Sequence, residues 1–212
     1  MNSYIVPIII LLIFAYFWRK EQKRKRLKYI ENYKFNPVFI RRVKEKIPDI
    51  SKKNTTKLFD ALRDYFYICS QAQGRMVAMP SESVDIAWHE FLLFTKEYQT
   101  FCNRGIGRFL HHTPTEVMQS KTSAQEGIKR AWRLACIKEG IDPQNPQKLP
   151  PLFVIDKLLN IKNGFTYTLN CKSKASGTSS SSCGGYCATD IGCSSGCGSD
   201  SDGWFSSSDS DS

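Results

Sequence analysis

The chain has 212 residues, enough for one ordinary domain with additions, and a net charge of +10. Most of that charge sits between Arg19 and Lys28, where seven basic residues face one acid, Glu21. This excludes a basic binding face spread over the whole protein. The eight cysteines crowd toward one end, so their even number does not define the disulfide framework of a small secreted domain.

In chain order, the first predicted element is the run "YIVPIIILLIFAYFW" at residues 4–18, which lacks charge and strongly polar side chains. With Met1–Ser3 the uncharged segment covers residues 1–18, against the roughly 17–25 residues of a spanning helix. Tyr4, Tyr16 and Trp18 lie near its ends, where aromatic rings favour the lipid–water boundary. No basic residue precedes the run, and no small-residue cleavage site closes it. The expectation is therefore an uncleaved transmembrane anchor over residues 1–18.

The block "RKEQKRKRLK" belongs to a basic juxtamembrane linker over residues 19–34. By the positive-inside rule it predicts a single-pass protein of the cell inner membrane, with its N-terminus outside and the bulk of the chain cytoplasmic. The membrane partner expected at this block is a layer of anionic lipid headgroups. No aromatic interleaving or known module accompanies it, which argues against nucleic acid.

Residues 35–170 read as a compact multi-helix domain. Asn36-Pro37 opens a helix through about Lys46. "TTKLFDALRDYFYICSQAQ" places Leu58, Leu62, Phe66 and Cys69 on one helical stripe. Residues 83–102, "SVDIAWHEFLLFTKEYQTFC", form a third helix capped by Ser81 or Ser83. Thr113-Pro114-Thr115-Glu116 starts a short helix, and Ser123 with Glu126 repeats the capping box before "GIKRAWRLACIKEG". There Ile128, Trp132 and Ala135 share a face. "PLFVIDKLLNI" predicts the last helix, and "GFTYTL" predicts extended backbone packed on the helices without a strong partner strand. Beyond Asn170, Ser, Gly, Cys and Asp dominate, predicting a disordered tail over residues 171–212. The expected class is thus all-α, with an anchor before the domain and a Cys/Gly/Ser-rich tail after it.

Two residue sets can carry chemistry. Asp85 and His89 stand one helical turn apart and share a face, and His111 or His112 arrives from the following loop. These donors suit zinc or another divalent transition metal, or an acid–base pair. Cys102 falls on another side of an ideal helix and makes a poor companion. A purely structural reading stays open, with Asp85 serving the helix N-terminus and His89 bonding across a packing contact. The second set is Cys183, Cys187, Cys193 and Cys197, whose C-x3-C-x5-C-x3-C spacing departs from the C-x2-C pairs of most zinc ribbons. In a cytoplasmic tail these would be thiols or metal-bound thiolates.

"VDIAWHEFLLFTKEYQTFCNRGIGRFLHHTP" resembles the signature of the glycine-rich-domain-containing-protein-like family. The matching positions are Val84, Asp85, Trp88, His89, Tyr98, Cys102 and His111 or His112, and small uncharacterised bacterial members have similar Cys/Gly-rich endings. The resemblance implies no reaction. Some members place a second histidine where this chain has Phe91, which weakens a His-x-His site. The resulting expectation is a membrane-anchored, non-enzymatic module that binds metal or a protein partner and presents a Cys-rich tail. The alternative is a metal-dependent or acid–base enzyme using Asp85, His89 and His111/His112.

Overall fold

The computed structural model describes residues 5–48, 50–112, 121–169, 186–188 and 191. Helices dominate: α1 (Ile5–Glu31), α2 (Pro37–Lys46), α3 (Lys52–Gln71), α4 (Glu82–Leu92), α5 (Thr95–Phe101), a π-helical turn (Cys102–Ile106), α6 (Lys121–Lys138) and α7 (Pro151–Leu159). Two short strands, β1 (Tyr167–Thr168) and β2 (Tyr186–Cys187), complete the described elements. The helix expected at Thr113–Glu116 lies outside the described residues.

Side-chain caps set the helix starts by satisfying amides that have no partner inside the helix. Asn36 Oδ1 accepts from the Val38 amide at 2.9 Å, just before Pro37. Ser51 Oγ accepts from the Asn54 amide at 3.2 Å, so α3 begins at Lys52, ahead of the expected Thr55. Ser81 Oγ accepts from the Val84 amide at 3.2 Å and opens α4.

The core gathers around α3, which packs against α1, α4, α6, α7 and the π-helical turn. Leu58, Leu62 and Phe66 on its stripe are fully buried, and Cys69 is nearly so. Phe66 meets Phe101 at 4.8 Å between ring centroids, while Phe39 meets Phe91 at 5.2 Å. Both contacts are tilted, an arrangement that avoids the unfavourable stacking of like ring faces.

The single helix expected over residues 83–102 is broken after Leu92. Phe91, Leu92, Leu93 and Phe94 are consecutive apolar residues, more than one face of a helix can bury. The break leaves Phe91 fully buried and brings Phe94 to Phe39 at 5.9 Å, while Leu93 stays 62% exposed. At the far end the Gly107 amide donates to the Cys102 carbonyl at 2.8 Å, closing the π-helical turn. Gly107 has φ +82, a conformation that a side chain disfavours, and the Arg26 guanidinium of α1 fills the space a Cβ would need.

The N-terminal expectation is corrected. Among the described residues no helix is long and apolar enough to cross a membrane. Residues 5–18, at about 1.5 Å each, extend roughly 21 Å, against a hydrocarbon core of about 30 Å. Extending the helix brings in Arg19, Lys20 and Glu21 rather than further apolar residues. The single-pass inner-membrane assignment, with an outside N-terminus and a cytoplasmic bulk, rested on that span and falls with it. The basic run is instead part of continuous α1, whose last turns reach the core through the fully buried Ile30.

"GFTYTL" also differs from expectation, because it has a partner. Tyr167 and Thr168 pair in parallel with Tyr186 and Cys187. Ala188 and Ile191 join the same buried cluster as the helices. Ala188 and Ile191, both beyond Asn170, therefore contribute apolar side chains to the domain.

Candidate metal centre

Asp85 and His89 project from α4, and both ends of that helix are pinned. At its N-terminus the buried Asp156 of α7 accepts five hydrogen bonds. Its Oδ1 receives Ser81 Oγ at 2.7 Å, Ser83 Oγ at 2.6 Å and the Ser83 amide at 3.0 Å. Its Oδ2 receives the Glu82 amide at 2.7 Å and the Phe165 amide at 3.0 Å. A carboxylate here satisfies helix-end amides and meets the positive end of the helix dipole. Toward the other end, Arg42 Nε of α2 donates to the buried Glu90 at 2.7 Å.

The third donor arrives from the segment after the π-helical turn. Trp88 Nε1 donates to Tyr98 Oη at 3.1 Å, and Tyr98 Oη donates to the Leu110 carbonyl at 2.5 Å. Burial pushes the Tyr98 hydroxyl well above the usual phenol range, so its proton stays in place. The relay fixes Leu110 against α4 and leads the chain into His112. The His112 ring then meets the Trp88 ring edge-on at 4.6 Å.

His112 Nε2 lies 3.0 Å from Asp85 Oδ1, and His89 Nδ1 lies 3.8 Å from Asp85 Oδ2. The two imidazole centroids are 4.2 Å apart. One donor atom from each residue falls within 4.8 Å of the other two. Bonds of about 2.0–2.1 Å to a tetrahedral ion separate its ligands by roughly 3.3–3.4 Å. The Asp85–His112 separation of 3.0 Å is to Oδ1 and the Asp85–His89 separation of 3.8 Å is to Oδ2, so each histidine faces its own carboxylate oxygen. The His112 side chain is 14% exposed, Asp85 24% and His89 53%, giving the site a sheltered inner wall and an open outer side. Glu82 lies nearby, and burial, followed by the charges of Asp85 and Asp156, raises its carboxyl above the ordinary range.

Of the other candidates, His111, Cys102 and Cys187 are described, and none belongs to this group. His111 is exposed, and its ring packs 4.8 Å from Phe109. Cys102 is fully buried, and burial is the main influence raising its thiol. Cys187 is buried on β2, while Cys183, Cys193 and Cys197 lie outside the described residues. Trp88 and Tyr98, whose apolar surroundings mark them as core residues, are buried as expected and also support His112. Asp156 carried no sequence signal beyond an acid in an apolar helix.

The fold and site define a mostly helical domain bearing an Asp-His-His triad. The family model described as UCP032817-like matches residues 25–191, and the chain belongs to that family. This corrects the resemblance to the glycine-rich-domain-containing-protein-like family, whose shared positions are too few to fix membership. No curated protein and no solved structure matches the chain.

Proposed function

We propose that this protein is a helical metal-binding module holding one zinc or similar divalent transition ion through Asp85, His89 and His112. The observation that supports it is the convergence of the three donors within 4.8 Å. In the metal-free geometry His112 Nε2–H donates to Asp85 Oδ1. Binding through Nε2 exchanges that hydrogen bond for a bond to the ion, and the neutral ring's proton passes from Nε2 to Nδ1 by exchange with water. Nitrogen and carboxylate donors suit zinc and its first-row neighbours better than magnesium or calcium.

The binding reading comes first, since a groove of about 720 Å³ between Glu31, Lys57 and Leu158 is lined by no triad side chain. Three protein ligands with an open outer position also match the ligand count of catalytic zinc sites. That observation keeps metal-assisted chemistry as the second reading. The cysteine-rich segment, with Cys183, Cys187, Cys193 and Cys197, is a separate candidate for thiolate ligation.

The test is metal analysis of the reduced full-length chain after zinc or cobalt(II) loading and dialysis. One equivalent is expected, lost in folded His89→Ala and His112→Ala variants and kept in a Cys183→Ser/Cys193→Ser/Cys197→Ser variant. A cobalt spectrum free of thiolate charge transfer would agree. No stoichiometric metal in the parent, or loss only in the cysteine variant, would overturn the triad assignment.

A further inference from the structure

Helix α1 divides along its axis rather than around it. Between Val6 and Trp18 eleven large apolar side chains are 49% to 70% exposed, pointing to every side of the helix. Immediately after them Arg19, Lys20, Lys23, Lys25 and Lys28 are all exposed. Arg24 is held by Glu21 at 2.9 Å, and Arg26 lies against Gly107. An exposed apolar surface of this extent marks an interaction site. A collar of positive charge at its base specifies a partner that is apolar inside and anionic at its boundary.

We propose that the apolar half of α1 inserts obliquely into one leaflet of an anionic phospholipid bilayer without crossing it, with the Arg19–Lys28 collar at the headgroups. The lengths agree. Roughly 21 Å of apolar helix, tilted by about 45°, reaches some 15 Å deep, half of a hydrocarbon core of about 30 Å. Apolar side chains on all sides suit oblique entry better than lying flat, which calls for one polar face. Charge complementarity favours lipid over a second copy of the chain, whose parallel docking would bring two basic collars together.

The test is cosedimentation of the full-length chain with vesicles of phosphatidylcholine alone or mixed with phosphatidylglycerol. Two variants, Ile9→Ser/Leu12→Ser and Arg19→Gln/Lys20→Gln/Lys23→Gln/Lys25→Gln, change exposed side chains, and equal thermal midpoints check that the domain is intact. Binding is expected only to the mixed vesicles, weakened by salt, and lost in the apolar variant. In the charge variant binding falls by about fivefold per removed charge. The proposal is overturned by no vesicle binding, by equal binding to neutral vesicles, or by a charge variant that binds like the parent. It is also overturned if the lipid-free protein is an oligomer that Ile9→Ser/Leu12→Ser converts to monomer.

Discussion

His112 Nε2 stands 3.0 Å from Asp85 Oδ1, although 27 positions separate the two residues in sequence. The contact joins α4 to the segment beyond the π-helical turn, so an ion bound between them cross-links both. Zinc should therefore raise the thermal midpoint of the parent, with a gain of about 2.7 kcal/mol when free ion exceeds Kd a hundredfold. His112→Ala should lose that gain while costing only about 1 kcal/mol without metal. Scanning fluorimetry with and without zinc measures both, and an equal zinc shift in the two proteins would refute the cross-link.

Tyr98 holds that segment by accepting from Trp88 Nε1 and donating to the Leu110 carbonyl. Tyr98→Phe keeps the ring but strips both buried groups of their shared partner. The expected cost is about 1–3 kcal/mol in urea unfolding. Metal affinity should fall roughly 10–100-fold, as for groups that orient a ligand from behind. A destabilised variant with parental zinc affinity would make Tyr98 purely structural.

Much of the helical frame was legible because burial follows the sequence period. Leu58, Leu62, Phe66 and Cys69 are buried together, as are Ile128, Trp132 and Ala135. The break after Leu92 was hidden, since the apolar pattern continues through it and only the surrounding packing selects which rings turn inward. Asp85 and His89 could be placed together from their spacing alone. Choosing His112 over His111 could not be done that way: the two are adjacent in sequence, and only the contacts of His112 with Trp88 and Asp85 make the selection. The Asp156 cap was equally invisible, because its partners at Ser81 and Ser83 are 75 and 73 positions away.

That cap predicts a severe local dependence. Asp156→Ala removes the shared acceptor of the Ser81 and Ser83 hydroxyls and of the Glu82, Ser83 and Phe165 amides, and with it the hydrogen bonds that tie α7 to α4. A loss of about 3–5 kcal/mol is expected, because several buried donors lose their acceptor together at about 1–3 kcal/mol each, partly offset by relaxation and water. Asp156→Asn, which retains one acceptor oxygen, should cost less. Urea unfolding of both variants decides this, and equal costs for Ala and Asn would show that packing rather than hydrogen bonding carries the effect.

The buried thiols give the chain an alkaline weakness. Burial pushes Cys69 and Cys136 up from 9.0 to about 12. Between those values the unfolded chain gives up its thiol protons while the native chain keeps them, so stability falls as pH rises, by up to ~1.4 kcal/mol per unit for each thiol. Lys138 acts in the same direction above its ordinary 10.5: burial lowers its pKa, but the hydrogen bond and charge of Asp64 more than compensate. A Cys69→Ala/Cys136→Ala variant isolates these two thiols by flattening the decline between pH 9.0 and about 12, while leaving the parts due to Lys138, Cys102, Tyr33, Tyr65 and Tyr98. Because the thiolate is the reactive form, alkylation of Cys69, Cys102 and Cys136 near neutral pH should also await unfolding. Mass spectrometry after iodoacetamide treatment, with and without urea, measures this, and rapid native labelling of these positions would contradict their burial.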